Sequence, residues 1–192
     1  MHMRIIPGVS LLRSMYNSDM CKVYVPYAHA KSIFEIEIDF YKKHGIKTVL
    51  ADLDNTLDSY KTKTPSANVV SFKSVLEENG IELFIVSNNT GKRVQTYAEA
   101  LGARYASAVG KPFAKKLLRK LKEAQIDPKT AVMVGDQTVT DVASANRAGI
   151  LCILTDKIVK EDQPTTHFNR LFDRPIRRHL RRKGKLIDWR ER

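Results

Sequence analysis

The chain has 192 residues, 43% of them hydrophobic. This is enough to form the hydrophobic core of one domain without stabilising disulfide bonds or metal ions. Its formal net charge is +12, and no apolar segment reaches the ~20 residues that a membrane helix needs. Cys21 and Cys152 have no second Cys or His at metal-ligand spacing, so we expect two free thiols. Residues Met1 to Leu12 carry charge and a proline where a signal peptide is apolar, so we expect a cytoplasmic chain.

Residues 1–30 show no sustained hydrophobic period and are predicted to form an irregular lead-in. From Lys31, apolar residues three to four positions apart predict a helix that ends at Gly45. Apolar and charged residues also alternate from Ile36 to Phe40, which is compatible with a short strand. Both interpretations stay open for this segment.

An apolar run over residues 48–51 is followed by Asp52 and Asp54, with Thr56 just beyond. The run predicts a central parallel strand, and such sheets bind ligands at the carboxyl ends of their strands. Taken alone, these polar residues are equally typical of a solvated loop with turn-forming side chains. The choice between a site and a loop therefore depends on later motifs.

Helix and strand patterns alternate through the chain as far as residue 154. This alternation predicts an α/β fold, a three-layer Rossmann-like sandwich with a central parallel sheet. After the first strand only residues 58–64 are free, enough for a flap but too few for a cap domain. The predicted elements are helices over Ser66 to Asn79 and Thr90 to Leu101, a helix from Pro112, a helix that ends at Gly149, and strands over Ile81 to Val86, Arg104 to Ala108, Ala131 to Val134 and Ile150 to Leu154.

Four polar motifs follow or open these elements in a fixed order. They are Asp-x-Asp-x-Thr at 52–56, Ser87-Asn88, Lys111-Pro112, and Gly-Asp at 135–136 with Thr-Asp at 140–141. Over residues 46–155 this set closely resembles the motifs of the haloacid dehalogenase (HAD) superfamily of phosphatases. The sequence that flanks these motifs is similar to that of the YqeG branch of subclass IIIA. This branch itself resembles phosphatidylglycerophosphate phosphatases.

The resemblance implies a covalent mechanism with a metal. Asp52 would attack phosphorus to form an aspartyl phosphate, and Asp54 would protonate the leaving alkoxide and then deprotonate water. Mg²⁺ prefers oxygen ligands and would be held by Asp52, Asp136 and the backbone carbonyl of Asp54. Asp141 would support the metal through water or orient Lys111.

The resemblance also implies a set of phosphate-binding groups. Lys111 and Ser87 would hold the transferred phosphoryl oxygens, because phosphoryl transfer depends on positioning and charge neutralisation. Asn88 would add an amide donor. Thr56 is expected to hydrogen-bond Asp54 or the phosphate-binding loop.

The C-terminal part is strongly basic. Residues 168–192 contain ten Lys or Arg and three Asp or Glu, which is +7 of the net charge of +12. This tail suggests an anionic membrane surface, a nucleic acid or a ribosome, or else a solvated arm that aids solubility. Asp173 is predicted to cap a last helix, and Trp189 is expected to be disordered, with a lipid interface or a stacked base as alternatives.

The sequence thus predicts one HAD-like hydrolase domain over residues 1–192, with a catalytic core over 31–160 and the basic tail over 161–192. The expected function is a Mg²⁺-dependent phosphomonoesterase acting on a phospholipid head-group phosphate such as phosphatidylglycerophosphate. It would lie in the cytoplasm, peripheral at the inner membrane surface. A phosphatase of a small soluble ester is one alternative, and a nucleic-acid or ribosome-binding module on a HAD scaffold is another.

Overall fold

Six parallel strands form the single sheet of the described residues, in the order β1-β6-β5-β2-β3-β4. The computed structural model describes residues 22–90, 92–159 and 167–192, with only the helical backbone described for 167–170. The strands are β1 (Ala28–Ala30), β2 (Thr48–Ala51), β3 (Glu82–Val86), β4 (Arg104–Ala106), β5 (Ala131–Gly135) and β6 (Leu151–Thr155). The α-helices are α1 (Ile38–Lys43), α2 (Ala67–Glu78), α3 (Lys92–Leu101), α4 (Ala114–Glu123), α5 (Ala143–Ala148) and α6 (His167–Arg182).

Buried strands occupy the centre of the sheet. Every residue of β2 and of β5 is buried, and the two strands pair directly, with Ala51 opposite Val134. Parallel strands that are covered on both faces are mostly apolar, which is why these two segments are hydrophobic apart from Thr48. The carboxylates that follow these strands, Asp52 and Asp136, therefore emerge together at the carboxyl edge of the sheet.

Helices cover both faces of the sheet, as the alternating pattern predicts. One face packs against a cluster that includes Tyr41 of α1, Leu76 of α2 and Tyr97 of α3. The other packs against Leu117 of α4 and Ala145 of α5. The predicted three-layer α/β fold is confirmed, and the connection from β2 to α2 is a loop with no inserted domain.

The lead-in contains a strand that was not predicted. Ala28–Ala30 forms β1, which pairs with β6 at the edge of the sheet, so the prediction of irregular structure is wrong for these three residues. A strand this short carries too little alternation to detect, and its pairing with β6 joins distant parts of the chain. The rest of the lead-in as far as Cys21 lies outside the described residues.

The predicted helix from Lys31 to Gly45 is divided into two short pieces. A 3₁₀ turn forms over Ile33–Glu35, where the Ser32 side chain accepts a hydrogen bond from the Phe34 N–H, and α1 follows. The alternative short strand is not formed. Cys152 in β6 is a buried free thiol, as expected, and burial raises its pKa well above the ordinary value.

The last helix begins earlier than predicted. Helix α6 starts at His167, so Asp173 lies inside it and the prediction that Asp173 caps its start is wrong. The reason is tertiary, because the Asp173 carboxylate accepts hydrogen bonds from the N–H of Thr138 at 2.6 Å and from its hydroxyl. None of the described helices is long and apolar enough to span a membrane.

The end of the chain packs onto the domain. Trp189 is 5% exposed and its ring meets Phe40 edge-on at 6.1 Å, so the prediction of a disordered Trp189 is wrong. The backbone N–H of His29 in β1 donates to the carbonyl oxygen of Ile187 at 2.7 Å, which fixes the segment before Trp189 beside the edge strand. The C-terminal segment therefore contributes to the core.

Candidate active site at the carboxyl edge of the sheet

Lys111 lies at the centre of the polar cluster. Its Nζ donates to Asp52 Oδ1 at 2.6 Å, to Asp141 Oδ1 at 2.7 Å and to the Val86 carbonyl oxygen at 3.2 Å. Burial disfavours the charged ammonium, but the carboxylates of Asp141 and Asp52 and their hydrogen bonds more than offset this and raise the pKa of Lys111. The side chain is therefore a fixed positive charge between two carboxylates.

The backbone of Lys111 is held by Asn88. The Asn88 amide donates to the Lys111 carbonyl oxygen at 2.8 Å and accepts from the Lys111 N–H at 2.7 Å. This reciprocal pair joins the loop after β3 to the segment before α4. In this structure the Asn88 amide thus positions the lysine, and the phosphate-binding role of Asn88 stays a prediction.

Three buried carboxylates form a compact group. Asp52, Asp136 and Asp141 each offer an oxygen within 4.8 Å of the others. Burial raises the pKa of Asp52 well above the ordinary value; Lys111 lowers it, and Asp141, Asp136 and Asp54 raise it further. One ammonium does not balance three carboxylates, and a set of hard oxygen donors is what Mg²⁺ selects. The donor set thus fits a divalent cation.

Asp141 is brought back towards the sheet by a turn of π-helix over Thr138–Val142, where the sequence predicted the start of an ordinary helix. Its second carboxylate oxygen accepts from the Gln137 N–H at 3.0 Å. A Cβ on Gly135 would lie 2.3 Å from the Asp141 carboxyl carbon, so only glycine permits this approach. Gly135 is therefore required by packing against the cluster, and π turns often mark functional sites.

Asp54 is bound by residues that the sequence analysis missed. The Arg93 guanidinium donates to the Asp54 carboxylate, and the Asn89 amide donates to it at 3.1 Å. Arg93 is on the first turn of α3, which begins at the carboxyl edge just after β3. The position of Arg93 in the sequence could have indicated this contact. A charged residue on the first helical turn after a strand-end motif lies at the carboxyl edge of the sheet, as the motif does.

The flap over residues 58–64 is anchored at both ends. Arg93 donates to the carbonyl oxygens of Ser59 at 3.1 Å and Thr62 at 3.2 Å. Asp58 accepts from the Ser66 N–H at 2.9 Å and from the Tyr97 hydroxyl at 2.5 Å. The flap is thus connected to α2 and α3 as well as to β2.

Ser87 and Thr56 are both buried near the strand ends. The Ser87 hydroxyl, 3% exposed, accepts from the Asn89 N–H at 3.1 Å. Thr56 is 1% exposed, and its hydroxyl has no hydrogen-bond partner among the described residues. Of the two partners expected for Thr56, neither Asp54 nor the phosphate-binding loop is hydrogen-bonded to it among the described residues.

Helix α6 also contacts the site. Arg177 donates to the carbonyl oxygens of Asp136 at 2.5 Å and Thr155 at 2.6 Å, and to Asp173 at 3.1 Å. Together with the hydrogen bonds that Thr138 donates to Asp173, these contacts hold the loop that follows β5. The sequence analysis missed this contact because Arg177 lies 41 residues from Asp136, and Asp173 lies 35 residues from Thr138.

Comparison with known proteins agrees with this geometry. A family model described as haloacid dehalogenase-like hydrolase matches residues 20–149. The chain is 34% identical to the probable phosphatase YqeG of Bacillus subtilis over 88% of its length and 98% of that protein. It is 26% identical to phosphatidylglycerophosphate phosphatase 1 of Arabidopsis thaliana over 85% of its length, but it spans only 50% of that protein.

Solved structures are also similar. The 3-deoxy-D-manno-octulosonate 8-phosphate phosphatase of Moraxella catarrhalis, in complex with magnesium, phosphate and KDO, has a TM-score of 0.41 and 21% identity. The likeness covers 51% of this chain and 62% of that one.

Proposed function

The chain belongs to the haloacid dehalogenase-like hydrolase family, and we propose that this phosphatase hydrolyses a phospholipid head-group phosphate with Mg²⁺ through an aspartyl phosphate. The observation that carries the chemistry is Lys111, held at 2.6 Å from Asp52 and 2.7 Å from Asp141 beside a third carboxylate, Asp136. One positive side chain among clustered oxygen donors suits a site that binds phosphate together with a cation.

Asp52 is the nucleophile of the proposal. One of its carboxylate oxygens attacks phosphorus, and the bond from phosphorus to the leaving oxygen breaks. Asp54 gives a proton to that oxygen as it leaves, so the product departs as an alcohol. Lys111 stays charged throughout and neutralises the phosphoryl oxygens, as its raised pKa allows.

Hydrolysis of the covalent intermediate uses the same residues. Asp54, now ionised, takes a proton from water, and the water oxygen attacks phosphorus. The bond from phosphorus to Asp52 breaks, which releases phosphate and restores the carboxylate. One residue thus serves as acid and then as base, and this requires that Asp54 be held in place between the steps.

Mg²⁺ fits the donor set at this edge. Asp52, Asp136 and Asp141, with the backbone carbonyl of Asp54, would hold it. When bound, it supplies positive charge that offsets the clustered carboxylates and the incoming phosphate.

Two findings support a lipid substrate over a small soluble ester. The described residues insert no cap domain at the carboxyl edge, so a bulky or surface-bound substrate has access to it. One relative is named a phosphatidylglycerophosphate phosphatase. We accordingly propose action at the cytoplasmic face of the membrane, with release of a neutral head-group hydroxyl and inorganic phosphate.

Phosphate release from a panel of phosphorylated lipids and soluble metabolites, assayed with Mg²⁺, tests the proposal. We expect turnover of a lipid phosphomonoester in detergent micelles that Asp52→Asn lowers by at least about 10³-fold. Asp39→Asn makes the same chemical change at an exposed position on α1 and should leave turnover unchanged. If only soluble esters are hydrolysed, the proposed lipid substrate is wrong and a soluble ester takes its place. If the Asp52→Asn enzyme is active, the proposed mechanism is wrong.

A further inference from the structure

Three of the most exposed large apolar side chains of the described residues belong to segments at the carboxyl edge. Phe113 is 68% exposed, Leu171 69% and Ile158 42%. A single exposed apolar residue needs no explanation, but several around one opening indicate a surface that binds another apolar phase or protein.

Each of the three is fixed next to the candidate active site by a short stretch of chain. Phe113 follows Lys111 by two residues, a distance of at most about 7 Å along the backbone. The Ile158 N–H donates to the Asn55 carbonyl oxygen at 3.2 Å, one residue from Asp54. Leu171 lies on the exposed side of α6, two residues before the buried Asp173, whose carboxylate holds the loop after β5. The three residues therefore belong to segments that adjoin the strand-end loops of the site.

Basic side chains accompany these apolar groups. Arg174 and Arg178 are exposed and lie three and seven positions after Leu171, so all three share one face of α6. Lys115 is exposed two residues after Phe113. The only acidic residue from 171 to 185 is Asp173, and it is 2% exposed on the inward side of the helix.

We infer that Phe113, Ile158, Leu171, Arg174 and Arg178 form a docking face that binds an anionic phospholipid bilayer. Apolar groups that enter the acyl boundary, interleaved with cations that attract anionic head groups, are what such a surface selects. The inference rests on the proposed lipid substrate, because the docking face would present the active-site edge directly to head-group phosphates.

The chemistry favours a membrane over a nucleic acid. Binding of single-stranded RNA uses flat aromatic side chains on which bases stack. Of the three exposed apolar groups, Ile158 and Leu171 are aliphatic and only Phe113 could stack. Aliphatic side chains gain from transfer into hydrocarbon, and they gain little from a base.

The charge component is tested by co-sedimentation of the full chain with vesicles of phosphatidylcholine containing phosphatidylglycerol. Each basic side chain near such a surface strengthens binding roughly fivefold, so Arg174→Glu with Arg178→Glu should weaken it by at least about 25-fold. The matched control, Lys47→Glu with Lys129→Glu, reverses two exposed charges at the opposite edge of the sheet and should weaken it much less.

The apolar component is tested in the same assay. Phe113→Ser with Leu171→Ser should lower vesicle binding about tenfold or more. Val70→Ser with Val75→Ser removes two exposed apolar groups from α2, which are 48% and 41% exposed, and should leave binding unchanged. Hydrolysis of a soluble aryl phosphate, measured in parallel, shows that each variant is folded and active.

The outcomes separate this inference from the proposed substrate. Vesicle binding that both docking-face variants lose establishes the face even if no lipid is hydrolysed, in which case the lipid substrate fails alone. Equal binding by wild type and both variants overturns the face, as does the absence of binding to anionic vesicles. Binding to an RNA homopolymer that the charge variant loses, without vesicle binding, likewise overturns it.

Discussion

The Arg93 guanidinium binds the Asp54 carboxylate through one nitrogen and the flap carbonyl oxygens of Ser59 and Thr62 through the other, at 3.1 and 3.2 Å. One side chain thus connects the proposed acid and base to the loop that overhangs it. Arg93 has no assigned chemical step, and its contacts make it a positioning residue for Asp54.

Replacing Arg93 should impair proton transfer more than binding. We expect Arg93→Ala to lower kcat for an alkyl phosphate about tenfold or more, because a hydrogen bond to a charged group contributes ~1.5–3 kcal/mol. The loss should be smaller for an aryl phosphate, whose leaving group needs little protonation. Steady-state kinetics on an alkyl and an aryl ester measure this difference.

Two further variants distinguish positioning from folding. Asp54→Asn should show the same preference for aryl substrates, with a larger loss, and Lys92→Ala on the exposed side of α3 should show none. Guanidinium ion, added below denaturing concentrations, should restore part of the activity of Arg93→Ala. Equal losses on both esters, without rescue, would contradict the role of Arg93.

Removal of the divalent cation should stop turnover reversibly. We expect chelation to abolish hydrolysis, Mg²⁺ to restore it, and Asp136→Asn to raise the Mg²⁺ concentration required. A second readout is thermal unfolding, since a ligand that binds only the folded state raises Tm. Mg²⁺ should thus raise the Tm of wild type more than that of Asp136→Asn, and full activity in chelator would contradict the metal site.

Loss of the Asp173 carboxylate should destabilise the fold. Asp173→Ala leaves the N–H and hydroxyl of buried Thr138 without this acceptor and removes one of the two ionic partners of Arg177, at a cost of about 2–4 kcal/mol. Arg174→Ala, one residue away and exposed, should change the free energy of unfolding by less than about 0.5 kcal/mol. Urea unfolding measures the free energy of unfolding of both variants. Equal values would show that Asp173 does not stabilise the loop after β5.

Trp189 offers a spectroscopic test of how the C-terminal segment packs. It is the only tryptophan, and it is buried against Phe40, so native fluorescence should be blue-shifted and poorly quenched by iodide. Unfolding should shift the emission to longer wavelength. Trp189→Ala should cost about 3 kcal/mol or more, whereas emission and quenching like those of free tryptophan would show that the segment is detached.

Local sequence pattern predicted the elements of the central sheet well. Strands β2, β3 and β5 are mostly apolar and are followed by polar motifs, so the buried run and the residues that end it are adjacent in sequence. Strand β1 and the early start of α6 could not be found in this way. Three residues carry no measurable period, and Asp173 looks like a helix cap until its distant partner, Thr138, is known.

By itself, the sequence determined the α/β class, the parallel sheet and the side chains at its carboxyl edge, because alternation and strand-end polarity are local properties of the chain. Only the tertiary structure decided which partners these side chains find. The bonds of Lys111 to Asp52 and Asp141, of Arg93 to Asp54, and of Arg177 to the Asp136 carbonyl oxygen join residues thirty to fifty-nine positions apart. Such pairs depend on packing geometry and on the cost of burying an unpaired charge, and the spacing of a motif predicts neither of these.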